Sequence, residues 1–180
     1  MKEFELQKAF MLIEPGPVTL LTTSHGGKNN VMTISWTMVM DFTPQFALLT
    51  GPWNYSYEAL IKTKECVIGI TTADLIETIL DVGTTSGRET DKFSRFGLTA
   101  LSASIVDAPL IKECYANIEC RVVDHIKQHN IFVLDGVKAW IDEQREEKRI
   151  LHARGDGTFI ADGEIFERRG RMGDKLPPGV

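Results

Sequence analysis

The stretch that decides the fold is "NNVMTISW", Asn29 to Trp36, which from Met32 onward alternates large apolar and small polar residues, like a β-strand. The two faces of this strand differ in chemistry: Thr33, Ser35 and Thr37 lie on one, and Met32, Ile34, Trp36 and Met38 on the other. Threonine is β-branched and suits a strand face that water covers, so a solvated face is one interpretation. The other is that the row of hydroxyls meets a polar ligand. This strand alone leaves both open.

The sequence around this strand predicts a β-hairpin in a mainly antiparallel protein. "VTLLTTS" (18–24) has the composition of a strand, and the Gly-Gly turn of "HGGKNN" (25–30) joins it to the next one. Further strands are predicted at 46–51, 66–72, 101–111, 114–126 and 130–141, and short helices at 4–13, 55–64 and 73–83. Because these elements do not follow a βαβ rhythm, six or seven strands favour an antiparallel barrel with short peripheral helices.

Composition limits the class of protein and its partners. The chain has 180 residues and a formal net charge of -5, which argues against a general nucleic-acid binder. No apolar run approaches the length that crosses a membrane, and the charged start "MKEFELQKAF" is unlike a secretion signal, so we expect a cytoplasmic protein. No strong boundary divides the chain. We therefore predict one domain over residues 1–180, with a tail of about 168–180 lying on the surface.

The cysteines and histidines do not indicate a metal site. Cys66, Cys114 and Cys120 are odd in number and have no metal-ligand spacing, and each lies in an apolar stretch. We expect them to be reduced and buried. His125 and His129 are four residues apart, but they lie in β-rich sequence, where this spacing does not bring two imidazoles together.

Two polar segments have the donors that a phosphate group requires. In "PWNYSY" (52–57), Ser56 lies where a helix begins, and free N–H groups at a helix start attract anions. In "SGRETDKF" (86–93), Ser86, Arg88 and Lys92 surround a flexible Gly87. A capping serine and a surface loop with internal ion pairs are the alternative interpretations. Neither segment decides the question by itself.

Taken in order, these stretches resemble a known family. "PGPVTLLTTS", "NNVMTISW", "YSYEAL", "SGRETDKF" followed by "FGL", "ANIECRV" and "HNIFVLDGV" together are similar to the flavin reductase-like, FMN-binding split-barrel family, particularly its flavoredoxin-type branch. The resemblance covers Pro15 to Gly136 and, more loosely, the remainder. It implies a mainly β, six-stranded antiparallel split β-barrel with peripheral short helices. It further implies a homodimer with non-covalent FMN at its interface.

The same resemblance implies which residues contact FMN. The isoalloxazine ring would contact Asn30, Met32, Thr33, Ser35 and Trp36, and the ribityl-phosphate end would contact Tyr55, Ser56, Ser86, Arg88 and Lys92. His129 matches a histidine that the family often places near the cofactor, and Phe166 would cover the cofactor from the C-terminal region. No protein side chain is expected to be catalytic, since the flavin carries the redox chemistry.

Two matters stay open at the level of sequence. Strict alternation puts Ser35 and Trp36 on opposite faces, so a bulge, a backbone contact or a second subunit's flavin must explain both assignments. The activity is also open between an NAD(P)H-dependent flavin reductase and an electron-carrying flavoprotein that serves a redox partner protein. A third alternative is a split barrel that has lost flavin and binds another small molecule. No GxGxxG fingerprint for a separate dinucleotide domain occurs, so NAD(P)H would have to stack on the flavin itself.

Overall fold

The computed structural model describes residues 16–41, 43–167 and 171. The helix predicted at 4–13 and, apart from Arg171, the tail predicted at 168–180 lie outside these residues. Within them, no helix is both long enough and apolar enough to cross a membrane.

The described chain is mainly β. The main antiparallel sheet contains β1 (Thr19–His25), β2 (Lys28–Ile34), β3 (Thr37–Val39), β4 (Gln45–Leu49), β5 (Glu65–Ile70), β8 (Ala116–Ile126) and β9 (Ile131–Ile141). Two small ribbons pair β6 (Ala100–Leu101) with β7 (Leu110–Ile111), and β10 (Leu151–Ala153) with β11 (Phe159–Ala161). The helices are α1 (Ser56–Thr63), α2 (Ile76–Thr84) and α3 (Lys92–Arg95), with single 3-10 turns at Ala73–Leu75 and Lys127–His129.

Ser35 and Trp36 connect the two edges of the main sheet. The strand order is β2-β1-β5-β8-β9-β4-β3, so β2 and β3 lie at opposite edges although only two residues separate them in the chain. In a flat sheet these edges would be about 29 Å apart, at about 4.8 Å per strand spacing. The three peptide units from Ile34 to Thr37 span at most about 11 Å. The sheet must therefore curl until its edges meet, which is the geometry of a split barrel.

The predicted fold class is thus confirmed, with a small difference in strand count. The single strand predicted from "NNVMTISW" is divided into β2 and β3, which raises the number of strands in the main sheet from six to seven. The hairpin is confirmed as well, because β1 and β2 pair antiparallel from Thr19↔Ile34 to His25↔Lys28.

Alternating residues of the strands build the two larger of the three hydrophobic clusters in the described chain. The barrel core takes side chains from six strands and from α1: Leu21, Met32, Leu48, Leu60, Cys66, Ile68, Cys120, Phe132 and Leu134. On the opposite face of β1 and β2, Leu20 and Val31 pack against Ile79 and Val82 of α2. All three cysteines are free and buried, as expected from the sequence. The alternation in β1 and β2 therefore places α1 and α2 on opposite faces of the same hairpin.

The strand predicted at 101–111 is wrong, and a buried carboxylate explains why. Only the ends of this segment form strands, β6 and β7. Between them, backbone N–H groups of Ser104, Ile105 and Val106 donate to the Glu119 carboxylate at 3.0, 2.6 and 3.2 Å. Trp140 Nε1 donates to the same carboxylate at 2.8 Å. These amides satisfy their hydrogen bonds at one side chain, so the segment does not need a strand partner.

Glu119 should therefore contribute strongly to stability. Glu119→Gln replaces one acceptor oxygen with an amide donor that faces other donors, and we expect a loss of about 2 kcal/mol in the free energy of unfolding. Urea denaturation measures this loss. The control is Glu77→Gln, which changes an exposed glutamate on α2 and should cost much less. Equal stability of the two variants would contradict the role assigned to Glu119.

The same carboxylate predicts a pH dependence. Burial alone would raise the pKa of Glu119, but hydrogen bonds from Ser104, Trp140, Ile105 and Val106 hold the pKa below its ordinary value. A depressed folded-state pKa stabilises the protein above the unfolded-state pKa of about 4.3, and this contribution is lost as the pH falls through the folded-state pKa. We therefore expect the free energy of unfolding of Glu119→Gln to fall less than that of the wild type as the pH is lowered.

Candidate functional site

Two neighbouring cavities lie along β2, near the point where the chain passes to β3. The seam cavity, about 230 Å³, lies beside Ser35 and Trp36, and the loop cavity, about 250 Å³, lies beside Ser86 and Gly87. Both are lined by Thr33, Trp53 and Asn54, and the place where these three residues border both cavities is called the neck. Small-molecule sites usually occupy about 300–1,000 Å³, so the two cavities together reach the size for one elongated ligand.

The seam cavity lies where β2 ends, at Ile34. The Ile34 carbonyl accepts from Thr19 Oγ1 at 2.9 Å, and the Trp36 carbonyl accepts from Leu49 N at 3.0 Å. Between these two anchors the chain is not a strand, so strict alternation no longer applies to Ser35 and Trp36. Both residues line the seam cavity. An interruption of the strand therefore allows both residues to border the same cavity.

The hydroxyl of Thr33 has a structural partner. Thr33 Oγ1 donates to the Ile79 carbonyl in α2 at 2.7 Å, and a Cβ added to Gly83 of α2 would lie 3.3 Å from Thr33 Cβ. This hydroxyl therefore fastens α2 against β2 at the neck. Neither solvation nor ligand contact alone accounts for the hydroxyl face of the strand, because one of its members holds a helix in place.

The loop cavity is formed where three segments meet. Asn30 Nδ2 on β2 donates to Ser56 Oγ at 2.8 Å, at the first residue of α1. The third segment is the loop 85–91, whose Gly87 packs so closely on Asn30 that an added Cβ would overlap Asn30 Oδ1. Asn30 and Ser56 are both buried. The sequence predicted two of these segments as phosphate-binding, and the structure brings them together with β2.

Lys92 gives the loop cavity its charge. The side chain lines the cavity, although the residue is only 5% exposed, and its Nζ donates to the Val82 carbonyl at 2.8 Å. Burial lowers the pKa of Lys92 to about 8. Among the described residues, no carboxylate lies within ion-pair distance of this ammonium. A buried cation without a carboxylate is costly, so an anionic ligand in this cavity would be stabilised.

The start of α1 adds further positive potential to the loop cavity. Asn54, Tyr55 and Ser56 line the cavity, and Ser56 is the first residue of this eight-residue helix. The first N–H groups of a helix have no partner within it and carry the positive end of the helix dipole. Ser86 lines the opposite side of the cavity and accepts from Arg88 N at 3.3 Å.

Most residues expected from the resemblance line one of the two cavities. Ser35 and Trp36 line the seam cavity, Thr33 lines both, and Asn30, Met32, Tyr55, Ser56, Ser86 and Lys92 line the loop cavity. Three others line neither. The Arg88 guanidinium lies outside, 5.7 Å from the centre of the Tyr55 ring, and His129 and Phe166 are exposed elsewhere. Their roles stay predictions, since none of the three lines the seam cavity or the loop cavity.

The cavities also have lining residues outside the set of FMN contacts that the resemblance implies. Trp53 lies at the neck with its ring over Gly51, where a Cβ would collide with that ring. Ala153 and Phe159, on the β10–β11 ribbon, form a wall of the seam cavity. The breaker-rich "GPWNY" indicated a turn near Trp53. No local signal connects Ala153 or Phe159 with β2, more than a hundred residues away.

Known proteins resemble this chain in sequence as well as in fold. The model of the "Flavin reductase like domain" family matches residues 11–160. The chain belongs to this family. An uncharacterized protein of Archaeoglobus fulgidus is 35% identical over 118 residues, covering 64% of this chain and 67% of that one. One of Pyrococcus abyssi is 30% identical over 129 residues, covering 70% and 74%.

Solved structures share the fold. The flavoredoxin of Desulfovibrio vulgaris (Miyazaki F) superposes with a TM-score of 0.80 at 23% identity, covering 86% of this chain and 91% of that chain. An FMN-binding domain of a flavin reductases-like enzyme from Shewanella baltica superposes with a TM-score of 0.79 at 25% identity, covering 92% and 95%. A split-barrel, flavin reductase-like fold is therefore common to these proteins and to this family member.

Proposed function

We propose that this protein binds FMN non-covalently and works as an oxidoreductase that passes reducing equivalents through it. The observation that carries the proposal is Lys92, a buried ammonium without a described carboxylate partner, in a cavity that shares three lining residues with a mainly apolar one. FMN has the same two-part chemistry, an anionic phosphate tail and a planar aromatic ring. Its ring would lie in the seam cavity and its phosphate in the loop cavity.

The residues of the seam cavity fit a flavin ring. Ile34, Leu49 and Phe159 supply apolar surface, while Ser35 contributes a hydroxyl. Bound FMN would supply the redox chemistry, and the protein would orient the ring and set its polarity. Fixed hydrogen-bond donors near the pyrimidine edge of a flavin favour its reduced, negatively charged form. Donors at Ser35 and Trp36, where the chain passes from β2 to β3, would stabilise that form.

The residues of the loop cavity fit a phosphate. Lys92 supplies charge, the start of α1 supplies backbone N–H groups, and Ser56 and Ser86 supply hydroxyls. Phosphate oxygens accept several hydrogen bonds at once, and charged donors give the stronger ones. The neck at Thr33, Trp53 and Asn54 would then enclose the ribityl chain.

NAD(P)H is the proposed electron donor. Trp53 borders the seam cavity and is 63% exposed, which leaves an aromatic surface beside the ring site for a planar nicotinamide. To test this, purified protein is mixed anaerobically with FMN and with NADH or NADPH, and absorbance spectra follow both compounds. We expect FMN-dependent oxidation of one nucleotide. If FMN binds and neither nucleotide is oxidised, the protein is an electron carrier for a redox partner protein. If no FMN binds, the proposed function fails.

Binding should depend on pH through Lys92. Below about pH 8 the ammonium is charged and attracts phosphate, whereas above it the free protein must take up a proton to bind phosphate. FMN affinity should therefore fall as the pH rises from 8 to 10, by up to about tenfold per unit. Fluorescence titration measures this fall, and riboflavin, which lacks the phosphate, should not show it.

Substitution of the lysine provides the control for the pH effect. Lys92→Met should weaken FMN binding by about tenfold to a hundredfold, the range for a charge-assisted hydrogen bond, and should flatten the pH profile. Lys127→Met, which removes an exposed lysine outside both cavities, should leave the profile unchanged. If the affinity of the wild type for FMN does not change with pH, or changes in the same way as its affinity for riboflavin, Lys92 does not bind the phosphate.

A homodimer with FMN at its interface is the proposed assembly. The β3 edge exposes Met38 and Val39, at 60% and 69%, next to the seam cavity residue Trp36. An apolar sheet edge of this kind is usually covered by another chain. Light scattering should give twice the mass of the chain. Val39→Asp should yield monomers with weaker FMN binding, whereas Leu80→Asp on the exposed side of α2 should remain dimeric. A wild-type monomer would contradict the assembly.

A further inference from the structure

Lys28 lies beyond the outer end of the loop cavity. Along β2, Ile34 borders the seam cavity, Thr33 borders both cavities, and Asn30 borders the loop cavity. Lys28 comes two residues before Asn30, which places it about 7 Å farther along the strand. It is the first residue of β2, and it is exposed.

The ammonium of Lys28 reaches across to the opposite wall. Its Nζ donates to the Gly87 carbonyl at 2.9 Å and to the Arg88 carbonyl at 3.4 Å. The same ammonium lies 5.3 Å from the centre of the Tyr55 ring. Gly87 and Tyr55 both line the loop cavity, so Lys28 bridges β2 to two walls at this end.

Other contacts keep the bridged walls close together. Gly87 packs so tightly on Asn30 that it has no room for a side chain, and a Cβ there would lie 2.9 Å from Tyr55 Cδ1. Arg88 also stacks on Tyr55, at 5.7 Å. Within the described part of the chain, no carboxylate lies within ion-pair distance of Lys28, so the loop carbonyls are its nearest acceptors. These contacts hold β2, the loop 85–91 and the start of α1 together on the Lys28 side of the loop cavity.

We infer that the Lys28 bridge is an end stop that makes the site select a flavin mononucleotide over a flavin dinucleotide. The inference rests on the proposed function and deepens it. With the ring in the seam cavity, the tail would end beside Lys92, and a single phosphate would fit inside the wall that Lys28 braces. FAD carries an adenylate on that same phosphate, and this extension would leave where Lys28 joins Gly87. Binding FAD then requires breaking the bridge and parting Gly87 from Tyr55.

The test compares FMN, FAD and riboflavin binding by fluorescence titration. Wild-type protein should bind FMN at least about tenfold more tightly than FAD, the difference that one charged hydrogen bond can produce. Lys28→Ser opens the end, and we expect the FMN-to-FAD affinity ratio to fall by about tenfold, mainly through stronger FAD binding. Riboflavin affinity should not change. Lys28→Arg keeps a cationic donor and should restore the preference.

Two comparisons make the test specific. Lys62→Ser removes an exposed lysine on α1 that pairs with Glu58, and it should leave the ratio at its wild-type value. Lys28→Met keeps the aliphatic stem and replaces Lys28→Ser if that variant melts at a lower temperature. Equal FMN and FAD affinities in the wild type, or an unchanged ratio in a folded Lys28 variant, would overturn the end stop alone. Failure of the wild type to bind any of the three flavins would overturn the proposed function and the end stop with it.

Discussion

The structure depends on one geometric constraint, which is that two residues carry the chain from one edge of the main sheet to the other. Ser35 and Trp36 can connect β2 to β3 only if the sheet curls and its edges meet. The curl encloses the barrel core and leaves a seam where the strand hydrogen bonds stop. The two cavities follow this seam and the strand that leads to it. Barrel closure and the candidate ligand site thus have the same origin.

Local patterns were sufficient to predict the class of fold. The alternation in "NNVMTISW" and the Gly-Gly turn before it indicated the antiparallel hairpin that the structure contains. The break at Ser35 could not be predicted, because the alternation continues through it to Met38. The strand expected at 101–111 was wrong for a similar reason. Its sequence suits a strand, and only the fold brings the buried Glu119 to its amides.

The candidate site shows the same difference between residues visible in local sequence and residues placed only by the fold. Ser56 and Lys92 were predicted, since a serine at a helix start and a cation in a polar loop are visible in short stretches of sequence. Phe159 and Lys28 were not predicted, because both act through contacts between distant parts of the chain: Phe159 lines the seam cavity, and Lys28 bonds to the loop-cavity residue Gly87. Thr33 shows a further limit. Its position on the strand was correctly anticipated, but its bond to Ile79 depends on where α2 packs.

The most direct measurement of the central claim is a crystal structure of the protein with FMN bound. We expect the isoalloxazine ring in the seam cavity beside Ser35 and Trp36, and the phosphate within hydrogen-bonding distance of Lys92. A ring found away from the crossing, for example in the cavity of about 310 Å³ lined by Tyr115 and Trp140, would contradict the account. So would a phosphate that points away from the loop cavity.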